Sequence, residues 1–188
     1  MKKIIFFRND DVRQNLDNSL IEMTQIFLDH CIPITHAVEP ANVSSEVINY
    51  LIDLKIKYPK FVEIIQHGYN HKLNYMKMVG GKLRKGEFGG ERTFEEQYRD
   101  IKAGKELMDK YFGNLWFPAF TFPYGARNNK AIKAINQLNY KVLESTEFYN
   151  VLISGSAILS SYFHTHLSKH LSEIRIAPFV HHPTLLAH

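Results

Sequence analysis

The feature that most constrains this chain is an alternation of short apolar runs with longer segments of helical period. Ile4-Ile5-Phe6-Phe7 reads as a short buried strand, and Leu16, Leu20, Met23, Ile26 and Phe27 then recur at helical spacing. Ile32 to Val38 predicts a second strand and Pro40 to Ser44 a loop with a helix cap. Val47 to Lys57 predicts a second helix with Ile48, Leu51, Ile52 and Ile56 inward. Further strands are expected at Phe61 to Ile65, Leu115 to Thr121 and Tyr140 to Leu143, with two strand-like segments near Ala157 to Leu159 and Ile174 to Val180. Thr93 opens a helix through a Thr-Phe-Glu-Glu capping box, which runs past Ile101 and Leu107 to about Phe112 and closes at Gly113. Asn128 opens another through Ile132 and Ile135. Strands that alternate with helices favour parallel pairing with right-handed crossovers, so an α/β fold is expected, with its site at the C-terminal ends of the strands.

At 188 residues, a single domain over 1–188 is expected. Cys31 is the one cysteine, so no intrachain disulfide can form and any metal must be held by His and carboxylate. The apolar run after Met1-Lys2-Lys3 ends at Phe7, too short for a signal-peptide core, and no stretch approaches the ~20 apolar residues of a membrane span. With the lone thiol, this gives an expected cytoplasmic location. The formal charge is +4, but the lysines are scattered and the densest basic cluster, Lys82 to Lys85, has no helix-turn-helix, zinc finger or stacking aromatics beside it. No nucleic-acid partner is expected.

The polar residues cluster after the strands. Asp10-Asp11 follows the first strand, His67-Gly68-Tyr69-Asn70-His71 the third, Pro123-Tyr124 the fourth and His181-His182 the last. On a helical turn, positions i and i+4 share a face, so His67 and His71 can ligate one ion. Two histidines and a carboxylate with open positions suit a hydrolytic or oxygenase metal, and a second carboxylate beside them supplies a base. The bland readings are a surface or capping histidine pair and an aspartate pair that simply caps the first helix. His67 to Arg92 is long, Gly-rich and without sustained period, which argues for a functional loop region. Glu87 and Glu91 within it read as substrate contacts or simply as solubilising charges. Phe112, Trp116, Phe117, Phe120 and Phe122 read mostly as core, and His164, Thr165, His166 and His170 as a solvated loop.

In order and placement, Asp10-Asp11, His67-x-x-x-His71, Phe122-Pro123-Tyr124-Gly125 and a terminal strand ending in His resemble the motifs of the polysaccharide deacetylase family, also called NodB-homology or carbohydrate esterase family four domains. The resemblance implies a distorted, incomplete (β/α) barrel of about seven parallel strands. It implies Asp10 as general base, with Asp11, His67 and His71 as metal ligands. Tyr124 would lend a backbone N–H to the oxyanion, and His181 or His182 would act as general acid, with His182 preferred because it precedes Pro183. Many members carry, three residues before the tyrosine, an arginine that orients the catalytic aspartate; here that position is Thr121.

The activity so implied is metal-dependent removal of an N-acetyl or similar acyl group from an amino sugar or glycan precursor, with zinc first and cobalt, nickel, manganese or iron also suited to the ligands. The alternatives are a hydrolase of another carbon–nitrogen amide bond and a non-catalytic carbohydrate-binding relative. The sequence leaves the sugar, the metal and the oligomeric state open.

Overall fold

The structure, a computed structural model, describes residues 3–5, 7–145, 157–160 and 174–176. Its elements in chain order are β1 (Lys3–Ile5), β2 (Phe7–Val12), α1 (Asn18–Asp29), β3 (Ile34–Val38), α2 (Ser45–Lys57) and β4 (Val62–His67), followed by β5 (Tyr75–Val79), β6 (Lys82–Gly86) and α3 (Phe94–Phe112). The remainder are β7 (Ala119–Thr121), α4 (Asn129–Gln137), β8 (Val142–Ser145), β9 (Ala157–Ser160) and β10 (Ile174–Ile176).

Six strands form one parallel sheet in the order β2-β3-β4-β7-β8-β9, and β10 pairs in parallel with β1. A single residue of sequence separates β1 from β2, so counting these two as one segment gives seven parallel strands in barrel-like sequence. Among the described residues β9 does not pair with β10, and the barrel is incomplete. Four of the crossovers carry a helix, as parallel neighbours require. No helix of the described residues is long and apolar enough to cross a membrane.

The helix boundaries follow from capping chemistry. Asp17, Ser44, Thr93 and Asn128 accept backbone N–H bonds at the four N-termini, and Thr93 with Glu96 completes the expected capping box. Since Asp17 caps α1, the Asp10-Asp11 pair is not a helix cap. Every residue of β3 and β4 is buried: Val38 and Ile64 face the core that the helices cover, while Ala37 and Ile65 pack with Ala119 and Val142 in a smaller cluster on the other face of the sheet. The core joins Leu51, Ile64, Ile101, Met108, Phe120 and Ile135. Phe112, Trp116, Phe120 and Phe122 are buried in it, as their reading as core anticipated.

Several expectations are corrected. The first strand continues past Phe7 to Val12, placing Asp10 and Asp11 inside its end and not in a loop after it. The fourth strand is only Ala119–Thr121, since Gly113–Leu115 turns in a 3-10 helix before it. Ile26 and Ile56 are exposed because, at about 100° per residue, they fall on the far side of α1 and α2 from the buried positions Leu20 and Thr24, and Val47 and Leu51. The Gly-rich loop holds an antiparallel hairpin, β5–β6, whose two-residue tip Gly80-Gly81 has φ of 55° and 75°. Such a turn needs positive φ at both central positions, which glycine supplies without steric cost.

His36 in β3 is fully buried, with Nδ1 3.5 Å from Asn9 Nδ2 and Nε2 3.4 Å from Thr24 Oγ1. Burial pushes its pKa down from 6.5 to about 4. The native state therefore refuses a proton that the unfolded chain accepts, and stability is lost as pH falls below 6.5 toward 4. We expect urea unfolding to show wild type losing about 3 kcal/mol across that window relative to His36→Gln. A constant difference between the two proteins would show that His36 does not titrate this way.

Candidate metal centre and active site

The site begins with an irregularity in β2. Its register with β3 runs Asn9 to His36 and then Val12 to Val38, so Asp10 and Asp11 together oppose Ala37 in a bulge. On a regular strand adjacent side chains point to opposite faces; the bulge, with Asp11 at φ 59°, turns both carboxylates into one cavity. His67 ends β4, level with Thr121 of β7. His71 follows in a bend at φ 54°, not on the helical turn expected from the spacing.

Asp11 Oδ1 lies 3.0 Å from His67 Nε2 and 3.1 Å from His71 Nε2. One donor atom from each of these three residues falls within 4.8 Å of the others, which fits a shared metal ion. The hydrogen bond to His67, helped by the nearby charges of His67, His71 and Arg13 and opposed by burial, holds the Asp11 carboxyl below its usual range. Asp10 is beside this set but not in it, its Oδ1 4.0 Å from His67 Nδ1. The cavity they share is about 340 Å³ and also takes in Thr121, Tyr124 and Arg127.

Arg8 is a site residue that the sequence reading passed over. Its Nε donates to Asp10 Oδ1 at 2.5 Å and its Nη2 to Oδ2 at 2.7 Å, a two-pronged grip that fixes the carboxylate plane. The signal was available, since residues i and i+2 of a strand share a face. Arg8 thus reaches Asp10 from β2 itself, where Thr121 on β7 has no guanidinium to offer.

The backbone between the two histidines forms no regular structure, so its polar groups need other partners. Gly68 N–H donates to the Thr121 carbonyl and the Gly68 carbonyl accepts from Gln66 Nε2. The N–H groups of Tyr69 and Asn70 both donate to Glu87 Oε1, at 3.0 and 2.9 Å. The Tyr69 carbonyl accepts from Ala41, that of Asn70 from Asn42 Nδ2, and that of His71 from the Tyr124 hydroxyl at 3.0 Å. The Tyr124 ring also rests against His71, centroids 4.4 Å apart. Tyr124 itself holds φ 60° in the turn Pro123–Gly125, so three proposed site residues sit in the left-handed region, a strain of about 1–3 kcal/mol each that is found where surrounding structure enforces a functional geometry.

Glu87 is fully buried beneath this loop and is neither a surface group nor exposed to substrate. Burial pushes its pKa up to about 7, against the backbone hydrogen bonds it accepts. Gly68 is required above it: at φ 61°, a Cβ there would stand 2.2 Å from Glu87 Oε2 and 2.4 Å from Pro123 Cγ. Only tertiary contact reveals this role, for nothing in the spacing of Glu87 marks it. His181, His182 and the cluster His164 to His170 lie outside the described residues.

A family model described as polysaccharide deacetylase matches residues 29–143, more than half of the chain. The chain belongs to the polysaccharide deacetylase family. No curated protein matches it. Among solved structures, this deacetylase-family chain is similar to IcaB from Ammonifex degensii, with a TM-score of 0.65 and 16% identity over 87% of this chain and 69% of that one. It is similar to the deacetylase PplD of Streptococcus pyogenes, solved with acetate, with a TM-score of 0.60 and 17% identity over 86% and 66% of the two chains. It is also similar to a family 4 acetyl xylan esterase from Clostridium thermocellum holding a cobalt ion, with a TM-score of 0.53 and 14% identity over 76% and 58%. At such identities the likeness is one of fold, and the chain spans between 58% and 69% of the length of these three proteins.

Proposed function

We propose that this chain is a metal-dependent hydrolase, acting as one domain, that removes an N-acetyl or similar acyl group from an amino sugar or glycan precursor. The observation that carries this reading is the convergence of Asp11, His67 and His71 beside a second carboxylate, Asp10, that Arg8 holds in place. Asp11, His67 and His71 would hold the ion, and two imidazoles with one carboxylate suit zinc, and also cobalt, nickel, manganese or iron. When bound, a divalent ion supplies Lewis-acid polarisation of the scissile carbonyl and makes water more acidic.

The chain's own groups perform the proton transfers. Asp10 accepts the proton of the attacking water, whose oxygen bonds to the acyl carbon. The backbone N–H of Tyr124 donates to the oxyanion that develops there, a contact worth about 3 kcal/mol in other hydrolases. As the carbon–nitrogen bond breaks, His182 or His181 protonates the departing nitrogen, leaving acetate and a free amine. Tyr124 and Glu87 keep His71 and its loop in position throughout.

Metal content by mass spectrometry on wild type, Asp11→Ala and His67→Ala, with acetate release from a panel of N-acetylated sugars after metal is restored, tests the reading. Stoichiometric metal in wild type, absent from both variants, and acetate release by wild type alone are expected. Metal without acetate release would point to another amidase or a carbohydrate-binding relative. No metal uptake by wild type would end the metal-centre reading.

A further inference from the structure

The β5–β6 hairpin stands out from the rest of the surface. From Lys72 to Gly86 the sequence carries five basic residues, Lys72, Lys77, Lys82, Arg84 and Lys85, and no acid. None of the five makes an ion pair among the described residues. In the hairpin register Lys77 faces Arg84 directly, a like-charge pairing that destabilises an isolated hairpin. Met78 faces Leu83 on the opposite side, and Met76, Met78, Val79 and Leu83 are each more than half exposed. Neither strand pairs with any other described strand.

The base of the hairpin is fixed while its tip projects. Asn74 N–H donates to the Gly86 carbonyl, and the Asn74 side chain donates to the Glu87 carbonyl. The Tyr75 ring lies close against Gly90, and Lys85 sits 5.4 Å from the Tyr124 ring at the cavity rim. Strands of this length carry the tip roughly 15 Å from that base.

We propose that this hairpin is a docking element for an anionic membrane surface, placing its Met, Val and Leu side chains at the headgroup boundary while its Lys and Arg residues meet the lipid phosphates. Charge complementarity selects the partner: an anionic surface relieves the Lys77–Arg84 repulsion, whereas a second copy of this face would add to it. The aliphatic side chains select a bilayer over a soluble polyanion. Single-stranded nucleic acid is gripped through stacking aromatics, and the hairpin's one aromatic, Tyr75, is engaged at the base. Basic residues flanking exposed aliphatic ones are the composition of an interfacial element, in which each charge adds to binding and falls off with salt. Docking would bring the mouth containing Tyr124 toward the bilayer, suiting an acylated sugar presented on a lipid anchor. The docking claim itself holds whether or not the site hydrolyses amides.

The test is co-sedimentation of the purified chain with vesicles of phosphatidylcholine alone or mixed with phosphatidylglycerol, at low and raised ionic strength. Binding to the mixed vesicles, weakened by salt and absent from phosphatidylcholine, is expected. Lys77→Ala/Arg84→Ala should weaken it about thirtyfold, at roughly fivefold per basic residue. Met78→Ser/Leu83→Ser should weaken it at least about tenfold. Both residue pairs are exposed and leave the buried core intact, and unchanged melting of the variants checks that. Failure of wild type to sediment with anionic vesicles would overturn the proposal. So would equal binding by the Ser variant together with equally tight binding to a DNA duplex, which would make the hairpin a site for soluble polyanions.

Discussion

Asp10→Asn is expected to lower turnover by roughly a hundredfold to ten-thousandfold while metal content stays at the wild-type level. The amide copies the shape of the carboxylate but cannot take a proton from water. The metal set should survive because the donor atom comes from Asp11, with Asp10 4.0 Å from the nearer His67 nitrogen. Arg8→Ala should give a smaller loss, carried in kcat with little change in KM, since it frees Asp10 to rotate without touching a proposed ligand. Arg8→Lys should recover part of it, one prong in place of two. Steady-state acetate release alongside metal analysis distinguishes the outcomes. Full turnover in Asp10→Asn would remove it from the role of base, and loss of metal in that variant would make it a ligand instead.

Glu87→Leu is expected to cost about 1–3 kcal/mol of stability, because it removes the acceptor of two part-buried N–H donors, those of Tyr69 and Asn70. It should also weaken metal affinity by about tenfold to a hundredfold, as loss of a group that orients ligands generally does. Glu87→Gln keeps an acceptor oxygen for Tyr69 and Asn70 and should be far milder. The two variants also separate a pH effect. With its pKa pushed up to about 7, native Glu87 keeps a proton that the unfolded chain has released above 4.5, so stability falls as pH rises from 4.5 through 7. The sign is opposite to that of His36, so the two work against each other in wild type, and Glu87→Gln should remove that offset and let the loss of stability toward low pH show more steeply. Chemical denaturation across pH and metal titration measure both effects. A Leu variant as stable and as metal-competent as wild type would mean the loop stands without Glu87.

Much of the fold was legible because parallel strands and their covering helices write strong periodic patterns. The caps at Ser44, Thr93 and Asn128 and the closure at Gly113 were readable because each rests on side-chain or backbone chemistry a few residues long. The hairpin was missed: its strands are mostly exposed and share no apolar face with the core, and the alternation in Met76-Lys77-Met78 and Lys82-Leu83-Arg84 is too short to stand out, although Gly80-Gly81 was a local clue. The spacing of His67 and His71 suggested proximity correctly and for the wrong reason. Their rings come within 5.4 Å through a left-handed bend, not through a helical turn.

By itself, the sequence determined the alternation of parallel strands and covering helices, the exclusion of paired-cysteine metal sites, and the residues competent for metal and proton chemistry, all of which depend on residue type and short-range spacing. Tertiary structure decided which of those residues meet. The bulge in β2 set both aspartates in one cavity, Arg8 was matched to Asp10, and the buried Glu87 was found to gather the N–H groups of a loop nearly twenty residues away in sequence. The physical reason is that hydrogen-bond accounting for an irregular loop is closed by partners from distant elements, and no local pattern records which partner burial will supply.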